Sequence, residues 1–83
     1  DCEAQSRQVM ANIQAIVEAA GGKMEDVAKI TCFITDINHY SGYAKVRSET
    51  WPSSPPASST VVVAGLVRPE FLVEVEAIVR LPG

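Results

Sequence analysis

The sequence predicts an α+β fold with its elements in the order αβαββ and both helices on one face of the sheet. Three observations carry this. Residues 3–20 repeat apolar side chains at the helical period and stop at Gly21-Gly22. Residues 27–35 alternate as a strand. The last third holds two β-branched runs, Thr60-Val61-Val62-Val63-Ala64 and Leu72-Val73-Glu74-Val75-Glu76-Ala77-Ile78-Val79, the first of them entered through Pro55-Pro56 and bounded by Gly65.

From Glu3 to Ala20, Val9, Ile13, Ile16, Val17 and Ala20 form the apolar stripe, leaving Gln5, Arg7, Gln8, Asn12, Gln14 and Glu18 toward water. Asp1 is placed to cap the start, and Gly21-Gly22 supplies the left-handed residue that ends the helix. In the strand Val27–Thr35, Ile30, Cys32 and Ile34 share one face, and Lys29, Thr31, Phe33 and Thr35 the other. Asn38 is the expected N-cap of a second helix from His39 to about Trp51, with Tyr40, Tyr43, Ala44, Arg47 and Trp51 along one face. Pro52 closes that helix, because the residue before proline avoids helical dihedrals. Residues 52–59 read as a proline-stiffened loop that delivers the next strand at a fixed angle. Leu66 to Phe71 connects to the last strand, where Val73, Val75, Ala77 and Val79 make a wholly apolar face. Leu72, Glu74, Glu76 and Ile78 make the opposite face, and two carboxylates among aliphatics are unusual for a simple solvent face.

With 83 residues the chain is one domain, residues 1–83, near the lower end of what a single core stabilises. A net charge of −3 and scattered Lys and Arg argue against a general affinity for nucleic acid. Cys2 and Cys32 are too few for a disulfide scaffold and lack metal-type spacing. No signal peptide or membrane-spanning apolar run is present in the sequence, so a cytoplasmic location is the default expectation.

Candidate chemistry is sparse. His39 is the only histidine, and a polar residue at a helix start is ordinary there. Glu74 and Glu76 lie about 7 Å apart on one strand face. They suit either a solvated sheet face or a general base that positions water. Ser58, Ser59 and Thr60 offer hydroxyls and backbone N–H groups. No G-x-S-x-G elbow accompanies them, which excludes serine hydrolysis of that type. Gly21-Gly22 follows a helix rather than opening one, so it is no phosphate loop.

Taken together, these residues resemble the RidA family, also called YjgF or L-PSP. Ala4-Gln5-Ser6-Arg7-Gln8 and Asn12 through Gly21 look like its first helix, and Val27 through Asn38 like its next strand. Pro55-Pro56-Ala57-Ser58-Ser59-Thr60-Val61-Val62-Val63-Ala64 and Val73-Glu74-Val75-Glu76-Ala77-Ile78 look like its most diagnostic segments. The resemblance implies a chorismate-mutase-like fold, a homotrimer with pockets between subunits, and a small-molecule ligand, without cofactor or metal. Active members hydrolyse 2-imino acids, made from serine or threonine by pyridoxal-phosphate enzymes, to 2-keto acids and ammonia. An arginine binds the substrate carboxylate and a last-strand glutamate, matched here by Glu74, positions water.

Two departures matter. The family's Pro-Ala-Arg-Ser reads Pro-Ala-Ser-Ser here, so Ser58 stands at the arginine's position. Losing that fork should cost about 2–5 kcal/mol of carboxylate binding. Arg47, on the helix rather than in the loop, is not expected to replace it. Thr60 stands where a cysteine is common and Ala44 where an asparagine often lies, which makes Ser58, Thr60 and Ala44 the substrate-binding candidates. The family also begins with two or three strands, including a pocket tyrosine and glycine, ahead of the helix found at the start here. The expectation is that these residues form the C-terminal two-thirds of a full family domain. The functions this implies are an imine or enamine deaminase using Glu74, a non-catalytic trimeric ligand-binding or regulatory protein, and an L-PSP-type endoribonuclease or translation inhibitor. The acidic charge balance argues most against the last.

Overall fold

The computed structural model describes residues 1–81. Helix α1 spans Cys2–Ala19, strand β1 Val27–Ile34, helix α2 Tyr40–Thr50, strand β2 Ala57–Val62 and strand β3 Val73–Val79, which is the expected αβαββ order. The strands form one sheet in the order β2-β1-β3, with β1 parallel to β2 and antiparallel to β3. α1 packs on α2 and on β3.

The Asp1 carboxylate accepts the Ala4 N–H at 2.8 Å, satisfying one of the orphan donors of the first turn of α1. Gly21 takes a φ of +90°, and Gly22 N–H closes back on the Val17 carbonyl at 2.9 Å. This is a left-handed helix stop that only glycine adopts without strain.

The buried stripe of α1 is rotated from the expected one. Cys2, Ser6, Met10 and Val17 are buried and Ile13 packs against them, whereas Ile16 is 69% exposed and Ala20 lies in water. Steps of four and three residues align Cys2, Ser6, Met10, Ile13 and Val17 on one line. Ile16 falls about a quarter-turn away. The small Cys2 and Ser6 side chains let α1 approach its neighbours closely, a role that apolar periodicity alone does not display.

The second helix starts differently from the expectation. Asp36, not Asn38, supplies the side-chain cap, accepting the Asn38 N–H at 2.8 Å. A short 3-10 turn, Ile37–His39, then leads into α2. Trp51 ends the helix and donates its indole N–H to the Met24 carbonyl at 2.9 Å. That bond ties the end of α2 to the 3-10 turn Met24–Asp26, which enters β1.

Ile30, Cys32 and Ile34 on the central strand have no exposed surface, and Tyr43, Val46, Trp51, Met10 and Val73 close over them. Val46 belongs to this core although the expected face of the helix omitted it. A register shift at Ala28 leaves Val27 opposite Val79, which turns Val27 onto the core side as well. On β3 the alternation is as expected, with Val73, Val75, Ala77 and Val79 inward and Glu74, Glu76 and Ile78 outward, but Leu72, expected on the outer face, precedes the strand and packs against the core. β2 is an edge strand and largely exposed, with Val61 at 44% and Val62 at 50%.

Candidate functional site

The proline-stiffened segment before Ala57 delivers β2 alongside β1, and the register pairs Ser58 with Ile30 and Thr60 with Cys32. Residues paired across a ladder share a face. Ser58 and Thr60 therefore lie on the helix side of the sheet, beneath the face of α2 that carries Tyr40, Tyr43 and Arg47. The Arg47 guanidinium crosses the gap, donating from Nη1 to Ser58 Oγ at 3.3 Å and from Nη2 to the Tyr40 hydroxyl at 3.3 Å. Its Cζ stands 5.6 Å from the centroid of the Tyr43 ring and 5.8 Å from that of Tyr40, within cation–π range. Arg47 was not expected to replace an arginine at position 58, yet its charged end lies against that position. A long side chain from the helix reaches where a loop residue would stand.

The electrostatics of this cluster follow from burial. Desolvation opposes the charge on Arg47, but its hydrogen bond to Tyr40 and the nearby Tyr43 outweigh this and hold its pKa above the usual value. Tyr43 has no exposed surface, and burial pushes its hydroxyl up to about 12. Burial likewise pushes the Cys32 thiol up to about 12. Both groups stay neutral at physiological pH, so Cys32 is no ready nucleophile. The Tyr43 hydroxyl feels both Ser58 and Cys32 but has no hydrogen-bond partner. Ala44, on α2 between Tyr43 and Arg47 in sequence, is half-buried beside this cluster's helix face.

Glu74 sits elsewhere. It pairs with Phe33, and Phe33 with Val61, which puts it on the outer face of the sheet and on the strand farthest from β2. Within one chain Glu74 is thus separated from Ser58 and Thr60 by the thickness of the sheet and by β1. Glu76 shares that outer face opposite Thr31, and both carboxylates are exposed. Around them the face is apolar in part, through half-buried Phe33 and exposed Val61 and Ile78. A groove of about 480 Å³ runs between Gln5, Val9 and Asn12 of α1 and the Phe71–Val75 edge of β3. Among the described residues no three metal-ligating side chains come together, and no helix is long and apolar enough to cross a membrane.

The profile of the endoribonuclease L-PSP family matches residues 1–81. A RutC family protein of Pyrococcus horikoshii is 41% identical over 78 residues, covering 94% of this chain and 61% of that protein. The chain belongs to the endoribonuclease L-PSP family. RidA from an Antarctic Psychrobacter species superimposes with a TM-score of 0.87 at 38% identity, over 95% of this chain and 63% of that one. A protein of unknown function from Pseudomonas aeruginosa does so with a TM-score of 0.94 at 37% identity, over 98% and 58%. The chain thus spans about 60% of the length of these similar proteins.

The arrangement that the sequence does not display is the gathering of Arg47, Tyr40 and Tyr43 over Ser58. Their spacing of three, four and seven on one helix was visible. What was not visible is that parallel pairing of β2 with β1 brings position 58 under that face.

Proposed function

We propose that this L-PSP family chain is an imine or enamine deaminase of small molecules, working in the cytoplasm as a homotrimer with pockets between subunits. The observation that carries this reading is the division of the candidate site. Glu74 and the Ser58–Thr60 pair lie on opposite faces and on the two outer strands of one sheet. A ligand that touches both must lie between copies of the chain. The partly apolar outer face, with Val61 and Ile78 in water, supports such an association.

In the proposed reaction Glu74 accepts a proton from a water molecule as the water oxygen adds to the carbon of a C=N bond. The proton passes to the nitrogen, and the resulting carbinolamine collapses to a carbonyl compound and ammonia. Ser58, Thr60 and Ala44 line the substrate side. Residues 1–83 act as one domain in this reading.

The test is hydrolysis of freshly generated 2-iminobutanoate, followed through competition with semicarbazide trapping, alongside sedimentation of the same sample. The expected result is a trimer that accelerates hydrolysis, with Glu74→Gln slowing it at least about 100-fold, as for loss of a general base. A sedimenting trimer that leaves the imine untouched would favour the non-catalytic ligand-binding reading, to which the serine at position 58 lends weight. A monomer without activity would remove the shared-pocket reading altogether.

A further inference from the structure

We infer that Phe33 is a specificity-determining residue of the proposed deaminase, whose ring takes the apolar side chain of the imine beside Glu74. The ladder register arranges the outer face of the sheet in rows. One row runs Val61, Phe33, Glu74, and the next runs Ser59, Thr31, Glu76. The two carboxylates, both exposed, thus have unlike surroundings. Glu74 ends an apolar row and Glu76 a polar one. Residues directly opposite on an antiparallel ladder have Cβ atoms about 4.5–5.5 Å apart, so a ligand at Glu74 is within reach of the Phe33 ring. Phe33 is half-buried and Val61 is 44% exposed, which leaves apolar surface on both for a ligand to cover.

Distance selects what covers that surface. Water activated by Glu74 lies about 3 Å from the carboxylate, and the carbon it attacks about 3–3.5 Å beyond. A short hydrocarbon chain on that carbon then has two sets of neighbours. Toward β1 and β2 it meets Phe33 and Val61, and along β3 it meets Glu76. Leu72, on the other flank of Glu74, packs against the core instead. Covering the ring removes apolar area from water, whereas covering Glu76 strips water from a charge. The chain therefore lies along the Val61–Phe33 row. The site takes imines with aliphatic or aromatic side chains in preference to the smallest ones.

The inference rests on Glu74 serving as the base in the proposed reaction. Its test compares kcat/KM for freshly generated 2-imino-4-methylpentanoate and 2-iminopropanoate, which differ only in that side chain. The protein should favour the larger imine at least about tenfold, as an apolar pocket does for added methylenes. Phe33→Ala should bring the ratio of the two kcat/KM values near one, while Phe33→Leu, which keeps apolar bulk, should retain most of it. A ratio unmoved in Phe33→Ala overturns the assignment. If Phe33→Ala does not fold, Val61→Ala carries the test, since it trims the other apolar residue of the row: the ratio should fall, and an unmoved ratio overturns the assignment. Wild-type protein that hydrolyses both imines with equal kcat/KM would keep the deaminase and remove the role of Phe33. Wild-type protein that hydrolyses neither would remove the deaminase and this inference with it.

Discussion

Tyr43 is the residue whose environment departs furthest from the usual rules for buried groups. It is fully buried, yet its hydroxyl makes no hydrogen bond of good geometry to Ser58 or Cys32, the polar groups beside it. An unsatisfied buried hydroxyl costs about 1–3 kcal/mol, so Tyr43→Phe should raise the free energy of unfolding in urea by ~1 kcal/mol. A fall of that size would show that the hydroxyl is bonded in solution. The same residue enters the pH dependence. The thiol of Cys32 and the hydroxyl of Tyr43, ordinarily near 9.0 and 10.0, are both raised to about 12 in the fold. The folded state therefore keeps protons that the unfolded state releases. Stability should hold up to about pH 9 and decline as pH rises toward 12. Urea midpoints between pH 8 and 11 would show this, and Tyr43→Phe should make the decline shallower above pH 10.

Among the elements, the junction between α1 and β3 shows how one side chain sets the start of a strand. The Gln5 amide donates to the Glu70 carbonyl at 2.9 Å and accepts the Leu72 N–H at 2.8 Å. It thereby pins both ends of the turn that precedes Val73. The Leu72 carbonyl in turn accepts the Thr35 N–H at 3.2 Å. Gln5→Leu keeps helix propensity but removes both bonds, at a cost of about 1–2 kcal/mol. Hydrogen exchange at the Leu72 amide should speed up more than exchange at Ile30, because the loss is local. The Arg7 contact with Glu49 joins α1 to α2 at the surface, and its contact with Glu3 stays within α1. Exposed pairs of this kind contribute little, and Arg7→Gln should leave the urea midpoint nearly unchanged.

At the scale of the whole molecule, the sheet is covered by helices on one side only. Its outer face presents Phe33, Val61 and Ile78 among Thr31, Glu74 and Glu76. Ile78 is 63% exposed in the single chain, so Ile78→Lys should be nearly neutral for an isolated copy. If copies associate through this face, as the proposed shared pocket requires, the buried lysine would disrupt them. Sedimentation should then shift toward the monomer while circular dichroism stays unchanged. An unaltered assembly would place the contact elsewhere.

Local pattern was enough for much of this protein. The Gly21 stop, the alternation of β1 and β3, the proline boundary before β2 and the αβαββ order each depend on residues close in sequence. Family membership was legible too, since the run from Pro55 to Ala64 and the Val73–Ile78 strand lie in unbroken stretches. The rotation of α1 was not, because Cys2 and Ser6 are buried by the approach of neighbouring elements rather than by their own hydrophobicity. Nor was the cap by Asp36, which depends on how the backbone turns at Ile37. The site was the least legible part. Ser58 and Glu74 look like parts of one constellation along the chain, and only the ladder register assigns them to opposite faces. Arg47 and Ser58 are eleven residues apart with a proline-rich loop between them. Their contact exists because β2 runs parallel to β1 beneath α2, a long-range pairing that no local preference encodes.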